Sequence, residues 1–355
     1  MGETTKIEAV DLFCGAGGLT YGLRRAGIDV KAGIDLDPAC EFPFEENNKT
    51  RFVKADIKNV TGEELSVFYS EGAVRLLAGC APCQPFSTLA HGRDNSGDEK
   101  WGLLKEFARL VQELQPELVT MENVPRVTNH APYREFVAAL EEAGYHVDAQ
   151  RLRCADYGIP QERRRFVLIA SRIGPIKLPP RTGKVETVRE AIGHLPQLAA
   201  GEIHCDDPLH RARRLSPKNL TRIRASRPGG TWGDWPEDLR ADCHRKTEGA
   251  SFRSVYARMK WDEPSPTITT QCFNFGTGRF GHPEQDRAIS LREAAILQSF
   301  PDEYRFVPEG KEISFSTVGR LIGNAVPPKL GEVVGQAFMI HVRKTIGSAN
   351  NARAA

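Results

Sequence analysis

Through its first half the chain alternates short apolar runs with stretches of helical periodicity, and its chemically useful polar residues stand where the apolar runs stop. Residues 7–13 read as a strand, a glycine-rich turn follows, and Leu19, Leu23 and Ala26 then recur at helical spacing. Residues 30–35, 52–55, 74–79 and 118–121 read as further strands. Helical patterns cover 103–114 and 133–143, and a last pair of strands covers 146–152 and 165–171. Such alternation predicts an α/β fold: a doubly wound, mostly parallel, Rossmann-like sheet with helices on both faces. Ligands of such sheets bind at the carboxyl ends of the strands.

The pattern then breaks. Residues 174–180 hold three prolines and read as a linker. From there to about 281 the chain is rich in Arg, Gly, Pro and Trp, with little periodicity. Between His204 and Lys260 stand 13 Lys/Arg against 7 Asp/Glu, an excess of +6 in a chain of net charge +2. That segregation suits either a phosphate-tracking surface or a solvated face. Helical character returns at 291–300 and 329–346, and the tail 347–355 is expected to be disordered. No apolar run approaches the roughly 18 residues needed to span a bilayer, and the polar start predicts no signal peptide. The expected location is the cytoplasm, where the 8 cysteines would be reduced thiols.

The first strand leads into Phe13-Cys14-Gly15-Ala16-Gly17-Gly18-Leu19, a loop whose backbone can approach a ligand and offer helix N-terminal amides. Thr20 stands where a dinucleotide fingerprint would have its third glycine, so the NAD-binding pattern fails. Asp35 ends the second strand, where an acid can hold ribose hydroxyls, and Asp56 with Ile57 ends the third. Any one of these is ordinary loop chemistry. Three consecutive strand ends bearing suitable groups are a stronger sign.

The fourth strand ends at Gly79-Cys80-Ala81-Pro82-Cys83-Gln84-Pro85-Phe86-Ser87. A zinc half-site would need a second ligand pair, which the sequence lacks, and the surroundings do not suit a thioredoxin-like redox pair. A buried structural cysteine fits Cys80. It fits Cys83 less well, because Pro82 and Pro85 hold that residue in a rigid loop. Glu122-Asn123 follows the fifth strand, and Gln161-Glu162-Arg163-Arg164-Arg165 enters the last one. Alternation along a strand would point Gln161, Arg163 and Arg165 the same way.

The order and spacing of FCGAGG, GIDLD, ADI, PCQPFS, ENV, QERRR and GNAVPP resemble the DNA cytosine-5 methyltransferases, of the compact prokaryotic restriction–modification type, over about residues 10–328. The resemblance implies S-adenosylmethionine as methyl donor, no metal, double-stranded DNA as partner, and a domain over 1–183 completed by 320–346. A target-recognition domain would cover 184–286, with a supporting region over 287–319. Phe13, Gly15, Ala16, Gly17, Gly18 and Leu19 would cradle the cofactor. Asp35 would bind its ribose, Leu36, Asp56 and Ile57 its adenine, and Pro82, Leu104, Asn324 and Val326 would complete the pocket. Cys83, Glu122, Asn123, Arg163 and Arg165 would be catalytic. Gln84, Ser87, Gln161, Thr267 and Thr269 would meet the DNA.

The chemistry needs these residue types. Cytosine C5 becomes nucleophilic once a thiolate adds to C6, and cysteine both attacks and leaves well. Arginine beside the thiol favours the thiolate, and a carboxyl group at N3, here Glu122, assists the addition by carrying a proton. C6 is stacked in duplex DNA, so the base must be flipped out. The polar loop 87–100 is expected to close over the DNA, and Trp232 and Trp235, beside Gly229-Gly230, belong to the expected groove-facing domain. An oxidoreductase has no use for the PCQ and ENV elements. A transfer-RNA methyltransferase of the same fold tends to carry Cys-Phe-Thr, where this chain has Cys272-Phe273-Asn274. A monomer acting beside a cognate endonuclease, without contact, is the expected setting.

Overall fold

The computed structural model describes residues 6–82, 102–246 and 253–354. Cys83, Gln84, Ser87 and the expected closing loop lie outside the described residues.

Among the described residues, seven strands form one sheet: β1 (Ile7–Leu12), β2 (Asp29–Asp35), β3 (Arg51–Lys54), β4 (Val74–Gly79), β5 (Leu118–Asn123), β6 (His146–Arg153) and β7 (Arg164–Ser171). Their order is β3-β2-β1-β4-β5-β7-β6. The pairs from β3 across to β5 are parallel, and β7 runs antiparallel to both β5 and β6. β1 lies inside the sheet, between β2 and β4, and is buried at all six positions, as expected of a strand covered on both faces. β5 runs two residues beyond the sequence expectation, so Glu122 and Asn123 sit within the ladder, opposite Val167 and Phe166.

The helices α1 (Gly18–Arg25), α2 (Glu41–Asn48), α3 (Gly62–Ser66), α4 (Gly102–Leu114) and α5 (Ala131–Glu142) accompany this sheet. α4 and α5 bury Phe107, Leu110, Val111, Phe136 and Leu140 against Leu77, Val119 and Met121. Each such side chain contributes about 1.5–3 kcal/mol through removal from water. α2 and α3 carry no apolar stripe that sequence periodicity would detect: α2 buries only Pro43, Phe44 and Asn48, and α3 has five residues.

The chain divides into two compact units. The first comprises 1–153, 164–182 and 326–355, and holds the sheet. It is closed by a helix reaching Ala354 from Pro328, which continues through the segment expected to be a disordered tail. This last helix lies directly on α1. A Cβ on Gly22 would meet the Pro328 carbonyl at 2.1 Å, and one on Gly331 would meet the Leu19 carbonyl at 2.8 Å.

The second unit comprises 154–163 and 183–325. Its helices are α6 (Val188–Ile192), α7 (Pro217–Arg224), α8 (Asp242–Arg245), α9 (Leu291–Leu297) and α10 (Phe315–Asn324), and the closing helix of the first unit is then α11 (Pro328–Ala354). The resemblance implies that 320–346 completes the first domain, whereas the two units divide this stretch between Ala325 and Val326. The structure places α10 in the second unit because its glycines sit on that unit's backbone: a Cβ on Gly323 would meet the Thr269 carbonyl carbon at 2.3 Å, and one on Gly319 would meet Phe273 at 2.5 Å.

Side chains, rather than a sheet, hold the second unit together. Ile223, Trp232, Trp235, Val255, Phe275 and Ala288 form its core. Trp232 and Trp235 are 4% and 2% exposed, so they support this unit from within and do not present themselves at a groove. Buried Arg258 donates to the carbonyls of Ile223, Ser226, His282 and Gln285 and pairs with Asp286. Part of the basic excess read from the sequence is therefore internal scaffolding.

Candidate active site

The turn after β1 departs from ordinary backbone at three positions, with Phe13 at φ 57°, Gly15 at φ 53° and Gly17 at φ 88°. A bulky residue at positive φ carries strain and is a mark of functional turns. The turn is pinned by Asp35, whose Oδ2 accepts from the Gly15 N–H at 3.0 Å and whose Oδ1 accepts from Asp37 N–H at 2.9 Å. Burial raises the Asp35 carboxyl above its ordinary value. A Cβ on Gly15 would meet nothing within 4 Å, so there is open room above the loop.

Around that room stand Leu36, 60% exposed, and Asp56, whose Oδ1 caps the following turn through Lys58 N–H at 3.0 Å. Among the described residues, large apolar side chains at that exposure are few, and one beside a strained glycine turn fits an unfilled flat surface. Ile57 and Leu104 are buried together behind the turn. Ala16, Leu19 and Val326 are buried, Gly18 starts α1, and Pro82 is exposed. Asn324 is exposed at the end of α10 in the second unit.

Beneath the turn lies a buried acid for which no role is expected. Asp11 is 1% exposed. Its Oδ2 accepts from the Thr20 hydroxyl at 2.7 Å, while its Oδ1 has no hydrogen-bond partner. Burial pushes its carboxyl up to about 7. The sequence signal is an acid among the apolar positions of β1, which also carries Glu8.

At the carboxyl ends of β4 and β5 a second cluster forms. Cys80 Sγ donates to Glu122 Oε2 at 3.0 Å, and Arg165 Nε lies 2.7 Å from Glu122 Oε1. Glu122 Oε1 accepts no well-aligned hydrogen bond, so its contact with Arg165 is chiefly electrostatic. Asn123 Nδ2 donates to the Ala81 carbonyl at 3.3 Å, and its Oδ1 accepts from Val124 N–H at 2.8 Å. Thus Asn123 ties β5 to the segment that leads towards Cys83.

Gln161 and Arg163 go elsewhere. Both precede β7 and belong to the second unit, so they do not share a strand face with Arg165. Gln161 is fully buried, and its amide is spent on Leu297 O, Gln298 Oε1 and Ile268 N–H. The expected substrate contact is replaced by an internal one. Arg163 donates to the carbonyls of Ile268 at 2.8 Å and Gly323 at 3.0 Å. Together they fix the segment in which Thr267 is half-buried and Thr269 exposed.

Residues 7–339 match the family of C-5 cytosine-specific DNA methylases. The chain belongs to that family. It is 51% identical over 335 residues to the type II methylase M.HgiDII of Herpetosiphon aurantiacus, covering 93% of this chain and 94% of the relative. It is 33% identical to the type II methyltransferase M1.HphI of Haemophilus parahaemolyticus, covering 94% and 87%. Among solved structures, a prophage-encoded E. coli protein shares the fold, with TM-score 0.73 and 23% identity over 94% of this chain and 98% of that one. So does DNMT2 of Spodoptera frugiperda, with TM-score 0.66 and 16% identity over 94% and 100%. The chain is a C-5 cytosine-specific DNA methyltransferase. Among its described residues no helix is long and apolar enough to cross a membrane.

Proposed function

We propose that this methylase acts through a covalent bond between Cys83 and C6 of a cytosine flipped out of duplex DNA, as the modifying partner of a type II restriction endonuclease. The observation that carries the reading is the cluster at the β4 and β5 ends, where Glu122 is held by Cys80 and Arg165 and Asn123 grips the start of the Cys83 loop.

The room above Gly15 would take S-adenosylmethionine, with Phe13 and residues 15–19 around the amino-acid end, Asp35 on the ribose hydroxyls, and Leu36, Asp56 and Ile57 at the adenine. Pro82, Leu104 and Val326 would complete the pocket. When bound, the cofactor supplies an electrophilic methyl group to C5.

The protein's own residues prepare the ring. The Cys83 thiolate lone pair forms the S–C6 bond, and the electrons displaced from the C5–C6 double bond are drawn towards N3, where Glu122 delivers a proton. Arg165 keeps the Glu122 carboxyl in place. Once C5 carries the methyl group, its proton passes to a base, the C5–C6 double bond reforms as the thiolate leaves, and the N3 proton returns to Glu122. Arg163 and Gln161 would act by holding the Thr267–Thr269 segment against DNA, and Gln84 and Ser87 by contacting the flipped nucleotide.

The test is trapping on duplexes containing 5-fluorocytosine in the presence of S-adenosylmethionine. Fluorine is not lost as a proton is, so the adduct should persist and map to Cys83. It should vanish in Cys83→Ser. Cofactor binding without any DNA adduct would overturn the reading, whereas trapping of structured RNA alone would change the substrate.

A further inference from the structure

On the second unit a cavity of about 360 Å³ opens between the start of α7 and the 273–277 loop. Its floor is aromatic, with Phe273 and Phe275 2% and 1% exposed. Its walls carry Arg213, Arg214, Asn219 and Asn274, and no carboxylate lines it. A concave, acid-free site with arginine forks and amides over aromatic rings suits an anionic ligand with hydrogen-bonding edges.

Arg213 is held in an unusual way for an exposed arginine. Its guanidinium carbon lies 5.5 Å from the Phe273 ring centroid, and its Nη1 donates to Asn274 Oδ1 at 2.5 Å. Asn274 Nδ2 in turn donates to Gln271 Oε1 at 2.5 Å. The Thr277 hydroxyl closes the loop by donating to the carbonyls of Gln271 and Asn274 at 2.8 Å and 3.0 Å. Arg213 makes no ion pair among the described residues. Of its five N–H groups one is used, which leaves the Nε and Nη2 edge available.

A guanidinium held in one plane serves bidentate recognition, and within a concave site lined by amides and aromatic rings the paired acceptors of guanine O6 and N7 match such a fork. We propose that Arg213, positioned by Asn274 and Phe273, reads one guanine of the methylated site. The inference rests on the reading of this protein as a DNA methylase.

The experiment uses the full-length protein with S-adenosylmethionine and a randomised duplex pool, with 5-methylcytosine located by sequencing. The wild type should yield a consensus containing guanine. Arg213→Lys keeps the charge and loses the fork, and should lower discrimination at one guanine position by roughly 10- to 100-fold in kcat/KM ratio. Asn274→Ala should lower it less, at the same position. Thermal melts of both variants should match the wild type. An unchanged consensus in Arg213→Lys, or an even loss over all sites as a phosphate contact would give, overturns this inference alone. A wild type that methylates no duplex overturns the DNA reading as well.

Discussion

The Cys80 thiol and the Arg165 guanidinium hold opposite oxygens of one carboxylate, with Cys80 Sγ 3.0 Å from Glu122 Oε2 and Arg165 Nε 2.7 Å from Oε1. In the proposed mechanism Cys80 positions Glu122, while Cys83 is the nucleophile. We expect Cys80→Ala to lower kcat by roughly 10-fold, the scale of one hydrogen bond to a charged group. KM for S-adenosylmethionine should stay the same and trapping on fluorinated DNA should survive. Loss of trapping in Cys80→Ala would assign the covalent bond to Cys80 instead.

Asp11 couples the cofactor turn to pH. Its native value, raised by burial to about 7, lies above its ordinary value of 3.8. The native state therefore holds a proton that the unfolded chain releases, and stability falls as pH rises from about 4 to about 7. Asp11→Asn keeps an acceptor for the Thr20 hydroxyl and carries no charge. Above pH 7 it should be more stable than the wild type by up to about 4 kcal/mol. The gap should narrow steadily towards pH 4. Denaturant titrations at several pH values would show this, and a gap independent of pH would refute it.

Glu293 titrates with the opposite sign. It is 0% exposed, and burial alone would raise its carboxyl. The Arg287 guanidinium, reaching both oxygens at 2.7 Å, more than offsets burial and brings it down to about 2. That stabilisation is present above about pH 4.5 and lost as pH falls towards 2. Glu293→Gln leaves Arg287 buried without its counter-charge and should cost about 3–5 kcal/mol near neutral pH. Melting curves between pH 6 and 3 should show the two proteins converging.

What was legible in the sequence follows from how each part is held. The sheet announced itself because strands and helices have fixed periods, and the carboxyl-end residues fell where those periods broke. Cys80 and Glu122 are 42 residues apart, and no local pattern reports a bond at that range. The second unit was opaque for a related reason. Arg258 gathers carbonyls from residues 24 to 35 positions away, leaving composition without period. Its arginines looked like surface charge, and its tryptophans like groove contacts, because burial is invisible where no repeat marks an inner face. Gln161 and Arg163 were read as continuing the face of β7, but β7 begins only at Arg164.

The seam between α1 and α11 admits no side chain at Gly22. A Cβ there would also lie 2.4 Å from Glu332 N. Gly22→Val should force the helices apart and cost about 1–3 kcal/mol or more. Because the turn before α1 is the proposed cofactor loop, S-adenosylmethionine binding by calorimetry should weaken in step with stability. Full binding by a stable Gly22→Val protein would show that the seam does not set the loop.

That seam also fixes an order of events during synthesis. α1 is made well before α11, with the whole of 183–325 in between. Until α11 arrives, the glycine face of α1 has nothing to lie on. A chain interrupted before α11 would carry the β1 strand and its motif but not the helix that seats them, so translation itself withholds a finished glycine turn until α11 is in place.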